Sequence, residues 1–116
     1  MKTYENWLWE ILVPKNKPLK LHKAWDKKVE SIAGGLTILK PVKGSWVSAH
    51  NNTIKEPMIP VRIMCNYEEI LAIADMTRLH YGEEAVMYYL ISKEIKIHQK
   101  NIGIWKIYKE RIDRES

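Results

Sequence analysis

Residues 58–82, MIPVRIMCNYEEILAIADMTRLHYG, decide the fold class because they join a strand to a helix at a well-marked boundary. Isoleucine and valine alternate with other residues over 58–65, which predicts a strand. Asn66 and Glu69, three residues apart, form the capping signature of a helix start. Apolar residues then recur at helical spacing up to Gly82, a residue type that commonly ends helices.

Upstream of this unit the sequence predicts a strand, a helix and a second strand. Tyr4–Val13 alternates with a period of two and is rich in aromatic and β-branched residues, which is typical of strands. Apolar residues fall one helical turn apart over Leu21–Ile32, and a glycine pair ends that helix. Leu36–Val42 predicts the second strand, with an extension through Trp46, and His50–Thr53 predicts a hairpin loop.

Downstream, Ala85–Ile91 is an almost wholly apolar run that predicts a fourth strand. A turn at Ser92–Glu94 and a short alternation over Ile95–His98 follow. The order β-α-β-β-α-β over residues 1–98 predicts a ferredoxin-like α+β domain, in which right-handed crossovers place both helices on one face of an antiparallel sheet. Residues 99–116 are predicted to form a basic C-terminal extension.

The formal net charge of +5 is concentrated at the two ends of the chain. Residues 1–30 hold seven lysines and four acids, and residues 93–116 hold seven basic and four acidic residues. The segment between them is close to neutral. Basic ends can attract phosphate-bearing partners, but a solvated lysine surface is the commoner explanation. Both interpretations stay open at this point.

The composition excludes several classes of protein. No apolar run approaches the ~20 residues that a membrane-spanning helix needs, so we expect no membrane partner. Glu5 and Glu10 interrupt the N-terminal apolar residues, which argues against a signal peptide. The single cysteine, Cys65, excludes an intrachain disulfide and a cysteine-based zinc cluster. We expect a cytoplasmic protein without a cofactor.

The strands are apolar on both faces, although two helices can cover only one face of the sheet. A second face in contact with water should show polar residues at alternate positions. The first strand instead carries Leu8 and Leu12 opposite its tryptophans, and the fourth is apolar throughout. Leaving this face bare would expose an unusually large apolar patch. The C-terminal segment, a second copy of the chain or a ligand could cover it, and we predict a homo-oligomer.

Arg62 is the main candidate for anion binding. It shares a strand face with Met58 and Met64, and a guanidinium in such surroundings needs an anionic partner. That partner is either a protein carboxylate, from Glu10 or Glu84, or a carboxylate or phosphate of a ligand. A structural ion pair is the interpretation that we favour.

The four histidines lack metal-site spacing, so we predict no metal site. His80 and Tyr81, followed closely by Glu84, could form an acid–base cluster, although a helix cap is the more common reason for such residues. Cys65 comes just before a helix start, where a thiol pKa can fall, but no base can be assigned to it and we expect a plain buried cysteine.

A nucleic-acid interface is disfavoured. RNA-recognition domains share this element order but stack bases on aromatic side chains of their central strands, and the 58–65 strand has none. Trp7 and Trp9 alone do not replace them. Trp46, after Gly44 and Ser45, could stack on a ligand or fill the core.

A set of short motifs resembles a group of small uncharacterised bacterial and phage proteins with a ferredoxin-like domain. The motifs are Gly34-Gly35-Leu36-Thr37, Gly44-x-Trp46, Glu56 and Gly82-Glu83-Glu84-Ala85-Val86. Glu83 stands where that group carries glutamine, and the resemblance covers roughly residues 30–92. It implies the fold and no established activity. If the matching residues share a pocket, the residues to consider in it are Thr37, Trp46, Glu56 and Glu84.

Three classes of function fit these features. The first, which we favour, is a non-catalytic homo-oligomer that binds a small anionic or nucleotide-like ligand, such as a phage or mobile-element protein that sequesters a signalling nucleotide. The second is a small dimeric α+β barrel enzyme that uses His80, Tyr81 and Glu84 as acid–base groups. The third is a protein-binding module that uses the second sheet face or the basic tail. No catalytic residue is assigned, and the candidate ligand-binding residues are Arg62, Trp46, Thr37, Glu56, His80, Tyr81 and Glu84.

Overall fold

The computed structural model describes residues 6–47, 53–96 and 98. Their backbone forms five strands and two helices in the order β1-α1-β2-β3-β4-α2-β5. The bounds are β1 Trp7–Pro14, α1 Leu19–Ala33, β2 Thr37–Ile38, β3 Val42–Val47, β4 Thr53–Cys65, α2 Tyr67–Tyr81 and β5 Tyr88–Ser92. Residues 50–52 of the predicted hairpin loop and the whole of the predicted extension over 99–116 lie outside the described residues.

The sheet is antiparallel with strand order β2-β4-β1-β5, and β3 also pairs with β4. Strand β4 therefore has β1 along one side, and β2 and β3 one after the other along its opposite side. Taken together, β2 and β3 occupy the place of a single second strand. This arrangement is the predicted ferredoxin-like α+β fold, with both helices packed on one face of the sheet.

The core lies between that face and the two helices. It is built by alternate residues of β1 and β4 together with apolar side chains of both helices. Its fully buried members include Trp25 and Val29 from α1, and Ile70 and Ile73 from α2. The indole Nε1 of Trp25 donates to Thr77 Oγ1 at 2.8 Å, which satisfies the polar atom of this large side chain inside the core.

Helix α2 begins and ends at the residues that the sequence marks. Asn66 Oδ1 accepts from the backbone N–H of Glu69, and a Glu69 carboxylate oxygen accepts from the backbone N–H of Asn66. Gly82 lies in the left-handed region with φ of 66°, a conformation that costs little without a Cβ atom. The capping prediction is confirmed.

Three strand boundaries differ from the predictions. The second strand stops after Ile38 and resumes at Val42, because Pro41 lies in the gap and cannot donate to a ladder. Strand β4 begins at Thr53, five residues before the predicted start, where it pairs with β3. Strand β5 begins only at Tyr88, although the apolar run starts at Ala85. Neither described helix is long and apolar enough to cross a membrane.

Candidate functional site

Four polar side chains lie in one line across the second face, the sheet face opposite the helices. Thr37 of β2 pairs with Arg62 of β4, Arg62 pairs with Glu10 of β1, and Glu10 pairs with Tyr89 of β5. Residues paired across neighbouring strands share a face of the sheet. Thr37, Arg62, Glu10 and Tyr89, here called the polar row, therefore cross four strands in register.

The carboxylate of Glu10 holds the row together. Its Oε1 accepts from Arg62 Nε at 3.1 Å, and its Oε2 accepts from the Tyr89 hydroxyl. The side chain of Glu10 is only 9% exposed, whereas that of Arg62 is 43% exposed. The buried charge is thus compensated on both oxygens, while part of the guanidinium faces solvent.

The second face around the row is largely apolar. Leu8 and Leu12 stand on either side of Glu10 on β1, and their β4 partners are Met64 and Pro60. Met64 keeps 38% of its surface exposed and Tyr89 37%. Apart from the polar row, the described residues thus leave a partly open face that is apolar, as the strand pattern predicts.

A groove of about 440 Å³ lies on the same face beside the row, at the end of β1. Its walls come from β1, β3, β4 and the segment that leads into β5. Met87 at its rim is 57% exposed, and the Met87 carbonyl accepts from the backbone N–H of Leu12 at 3.0 Å. The lining residues of this apolar groove are Leu12, Gly44, Ser45, Met58, Ala85, Val86 and Met87.

The structure brings only two of the predicted site residues into the polar row, Thr37 and Arg62. Of the two protein carboxylates considered for Arg62, Glu10 is the partner. Tyr89 was missed because a tyrosine in an apolar strand gives no local sign of a polar contact. Aligning β1 with β5 would have identified it, because the register of these strands places Tyr89 opposite Glu10.

His80 and Tyr81 lie between the two helices, away from the row's strands. The His80 Nε2–H donates to the Leu21 carbonyl at 2.8 Å, and the ammonium of Lys28 donates to His80 Nδ1 at 3.0 Å. Both ring nitrogens of His80 are therefore engaged with α1. Its ring meets the Tyr81 ring edge-on, with centroids 4.9 Å apart.

Tyr81 is buried and bonded to α1 as well. His22 Nε2 lies 3.1 Å from the Lys15 carbonyl, which can only accept, so this nitrogen carries the proton. His22 Nδ1 then accepts from the Tyr81 hydroxyl at 2.8 Å. Burial raises the pKa of Tyr81, and the nearby carboxylate of Asp26 adds to the effect. The phenol is thus held in its neutral form.

Glu56 lies with two other charged residues near the start of α1. Lys17 Nζ lies 3.6 Å from a carboxylate oxygen of Glu83 and 3.4 Å from the Tyr81 carbonyl. Burial raises the pKa of Glu56, the charge of Glu83 raises it further, and Lys17 lowers it. Glu56 therefore belongs to a cluster with Glu83 and Lys17.

Glu84 and Trp46, the remaining predicted site residues, lie outside the polar row. Glu84 is exposed between α2 and β5. Trp46 is placed by its backbone pairing with Ile54 in the β3–β4 hairpin.

Cys65 is a buried thiol at the end of β4. Burial raises its pKa to about 12, and the charge of Glu69 contributes in the same direction. The expectation of a plain buried cysteine is confirmed. Among the described residues, no group of three histidine, cysteine, aspartate or glutamate side chains is arranged to hold a metal ion.

Comparison with solved structures identifies similar folds at low sequence identity. A phage SAM lyase in complex with S-methyl-5'-thioadenosine aligns over 82% of this chain and 87% of its own, with a TM-score of 0.62 and 11% identity. CutA1 from the psychrotrophic bacterium Shewanella sp. SIB1 covers 99% of this chain and 98% of its own (TM-score 0.58, 15% identity). CutA1 from Oryza sativa aligns over 93% of this chain and 94% of its own (TM-score 0.59, 13% identity).

At these identities the similarity establishes the fold alone. No protein-family model matches the sequence, and no curated protein matches it.

Proposed function

We propose that this protein is a homo-oligomer that binds a small nucleotide-like ligand on the second face, at the polar row. The observation that carries the proposal is the line of Thr37, Arg62, Glu10 and Tyr89 across an otherwise apolar, partly open sheet face. A few convergent polar groups in an apolar setting are the usual composition of small-molecule sites. Such groups fix the orientation of a ligand, while the surrounding apolar area supplies affinity.

The charge of the row narrows the ligand class. Because Glu10 already pairs with Arg62, the two charges offset each other, and the row as a whole attracts a multiply charged phosphate only weakly. Hydroxyl groups, an amide or a single carboxylate can still bond to the exposed part of the guanidinium and to Thr37. These groups favour a nucleoside or a zwitterionic nucleoside derivative over a nucleoside triphosphate.

The exposed apolar area around the row supports the proposed oligomer. Met64, Met87 and Tyr89 each leave more than a third of their surface open on this face. A second copy that covers part of the face would remove this apolar surface from water and would enclose a ligand bound at the row. A sequestering protein of phage or mobile-element origin would use such an enclosed site.

The similarity to a phage SAM lyase supports the same ligand class. That protein, which has this fold, was solved with S-methyl-5'-thioadenosine, a nucleoside with a thioether in place of phosphate. A neutral nucleoside of this kind matches the charge balance of the Glu10–Arg62 pair.

The test is calorimetric titration of the full chain with S-methyl-5'-thioadenosine, S-adenosylmethionine (SAM), adenosine and ATP, together with its solution mass by light scattering. We expect S-methyl-5'-thioadenosine and SAM to bind, and the solution mass to exceed that of one chain. Arg62→Met should weaken binding about tenfold, since it removes a charged hydrogen-bond donor.

Arg78→Met is the matched control, because the side chain of Arg78 is 44% exposed against 43% for Arg62. Arg78 lies on α2, where it pairs with Asp75 at 3.8 Å. Equal effects of the two substitutions, or no binding of any nucleoside, would overturn the proposal.

A second candidate function is cleavage of the bound ligand, favoured by the similarity to a SAM lyase. The protein would then be an enzyme that acts on SAM at the same row. Incubation of SAM with the protein, followed by chromatography for S-methyl-5'-thioadenosine, separates the two candidates. Release of that product at a rate that falls in Arg62→Met supports the enzyme, and unchanged SAM after binding supports the sequestering protein.

A further inference from the structure

We propose that the apolar groove beside the row is a subsite for the flat heteroaromatic ring of the ligand whose polar part lies on the row. This inference rests on the proposed function, because it assigns the base of the nucleoside to a second, separate set of residues.

The size of the groove fits a small molecule. Its volume of about 440 Å³ lies within the range of roughly 300 to 1,000 Å³ that ligand pockets show. None of its lining side chains carries a charge, and the Ser45 hydroxyl is the one polar side-chain group among those lining residues. A phosphate or a sugar would lose its hydration there without replacement, whereas a base loses little.

The groove and the row are neighbours on the same strands. Leu12 lines the groove and stands two residues from Glu10 on β1, so the two side chains share a face about 7 Å apart. Met87 also lines the groove and stands two residues before Tyr89. One ligand of nucleoside size therefore reaches both, with its ribose over the row and its base in the groove.

The chemistry of the walls suits a ring. Met58 and Met87 contribute flexible, polarizable thioethers, which adapt to flat surfaces and make favourable contacts with aromatic rings. Met58 is 6% exposed and forms the floor, while Met87 is 57% exposed and forms the rim. The Ser45 hydroxyl can bond to a ring nitrogen or an exocyclic amine, which would give the subsite some base preference.

The first test fills the groove without changing the row. Ala85→Leu adds bulk at an exposed position outside the strands, and Ala24→Leu makes the same change at an exposed position of α1 on the other side of the sheet. The probe is S-methyl-5'-thioadenosine in calorimetric titration of the full chain. We expect Ala85→Leu to weaken binding about tenfold or more and Ala24→Leu to leave it unchanged.

The outcomes of this titration separate the two proposals. Binding to the unsubstituted chain with no difference between Ala85→Leu and Ala24→Leu overturns the subsite and leaves the proposed function standing. No binding of the probe by the unsubstituted chain overturns the subsite, and if SAM and adenosine also fail to bind, the proposed function is overturned as well.

A second test locates the ring directly. The chain has five methionines, so ¹³C-methyl methionine labelling gives a readable NMR spectrum. A bound ring should shift the methyl signals of Met58 and Met87 and leave that of Met76, which packs on the core, in place. A Met87 signal that responds to protein dilution, and not to the probe, would show that a second copy fills the groove, and would overturn the subsite.

Discussion

Glu10 and Arg62 stand opposite each other on the two central strands, and Arg62 Nε donates to Glu10 Oε1 at 3.1 Å. The two members of this pair differ in exposure: the carboxylate is nearly inaccessible, and the guanidinium reaches solvent. An uncompensated carboxylate at the Glu10 position would be costly, because it has little access to water. The pair therefore constrains both the sheet register and the polarity of the second face.

The unequal exposure predicts unequal costs of substitution. Arg62→Met leaves the Glu10 carboxylate with only the Tyr89 hydroxyl and should lower the free energy of unfolding by about 2 kcal/mol at pH 7. Glu10→Gln leaves a cation that solvent can reach and should cost about 1 kcal/mol. Urea denaturation of both variants measures the difference, with Arg78→Met as the reference for an exposed arginine. A larger loss for Glu10→Gln would contradict this account.

The buried hydrogen bond between Trp25 and Thr77 gives a second prediction. Thr77 Oγ1 accepts from the indole at 2.8 Å and donates to the Ile73 carbonyl at 2.6 Å. Thr77→Val keeps the shape and leaves the indole N–H unpaired, so the free energy of unfolding should fall by about 2 kcal/mol. In a Trp25→Phe background the same substitution should cost clearly less. Equal costs in both backgrounds would show that the bond contributes nothing.

Cys65 makes the free energy of unfolding depend on pH in the alkaline range. Its pKa is about 12 in the folded protein against an ordinary value of 9.0, so above pH 9 the unfolded chain loses the thiol proton while the folded chain keeps it. The stability of the protein relative to Cys65→Ala should therefore fall by roughly 1.4 kcal/mol per pH unit above pH 9. Urea midpoints of both proteins between pH 7 and 10.5 measure this slope, and a pH-independent difference would rule it out.

The capping box of α2 gives a fourth prediction. Asn66→Ala removes the acceptor for the backbone N–H of Glu69 and should lower the free energy of unfolding by about 1 kcal/mol. Asn66→Ser retains a side-chain acceptor and should cost far less. Thermal unfolding monitored by circular dichroism compares the two, and identical melting temperatures for both variants would disprove a role for the side-chain bond.

The parts of the fold that are determined by residues close together in the sequence can be predicted from the sequence. The start of α2 at Asn66 and its end at Gly82 follow from local capping rules, and the element order follows from periodicity. The start of β5 at Tyr88 is not local, because Ala85–Met87 is as apolar as the strand itself. Only pairing with β1 decides where the ladder begins.

The site is less predictable than the fold, since it depends on register between distant strands. Arg62 signals an anion by itself, and Glu10 is one of two partners that the sequence allows. The choice between them, and the addition of Thr37 and Tyr89, requires the alignment of four strands. His80 and Tyr81 look equally suited to chemistry in the sequence, yet the structure engages their polar atoms with α1.

Strand β4 divides its thirteen residues between two partners on one side, with β3 along Thr53–Met58 and β2 at Val61 and Arg62. The gap between β2 and β3 separates the ladder of the hairpin from the ladder that holds Arg62. The Thr53–Met58 ladder can therefore change without altering the pairing of Thr37, Arg62 and Glu10. Substitutions in β3 thus offer a way to alter one edge of the sheet while the polar row keeps its alignment.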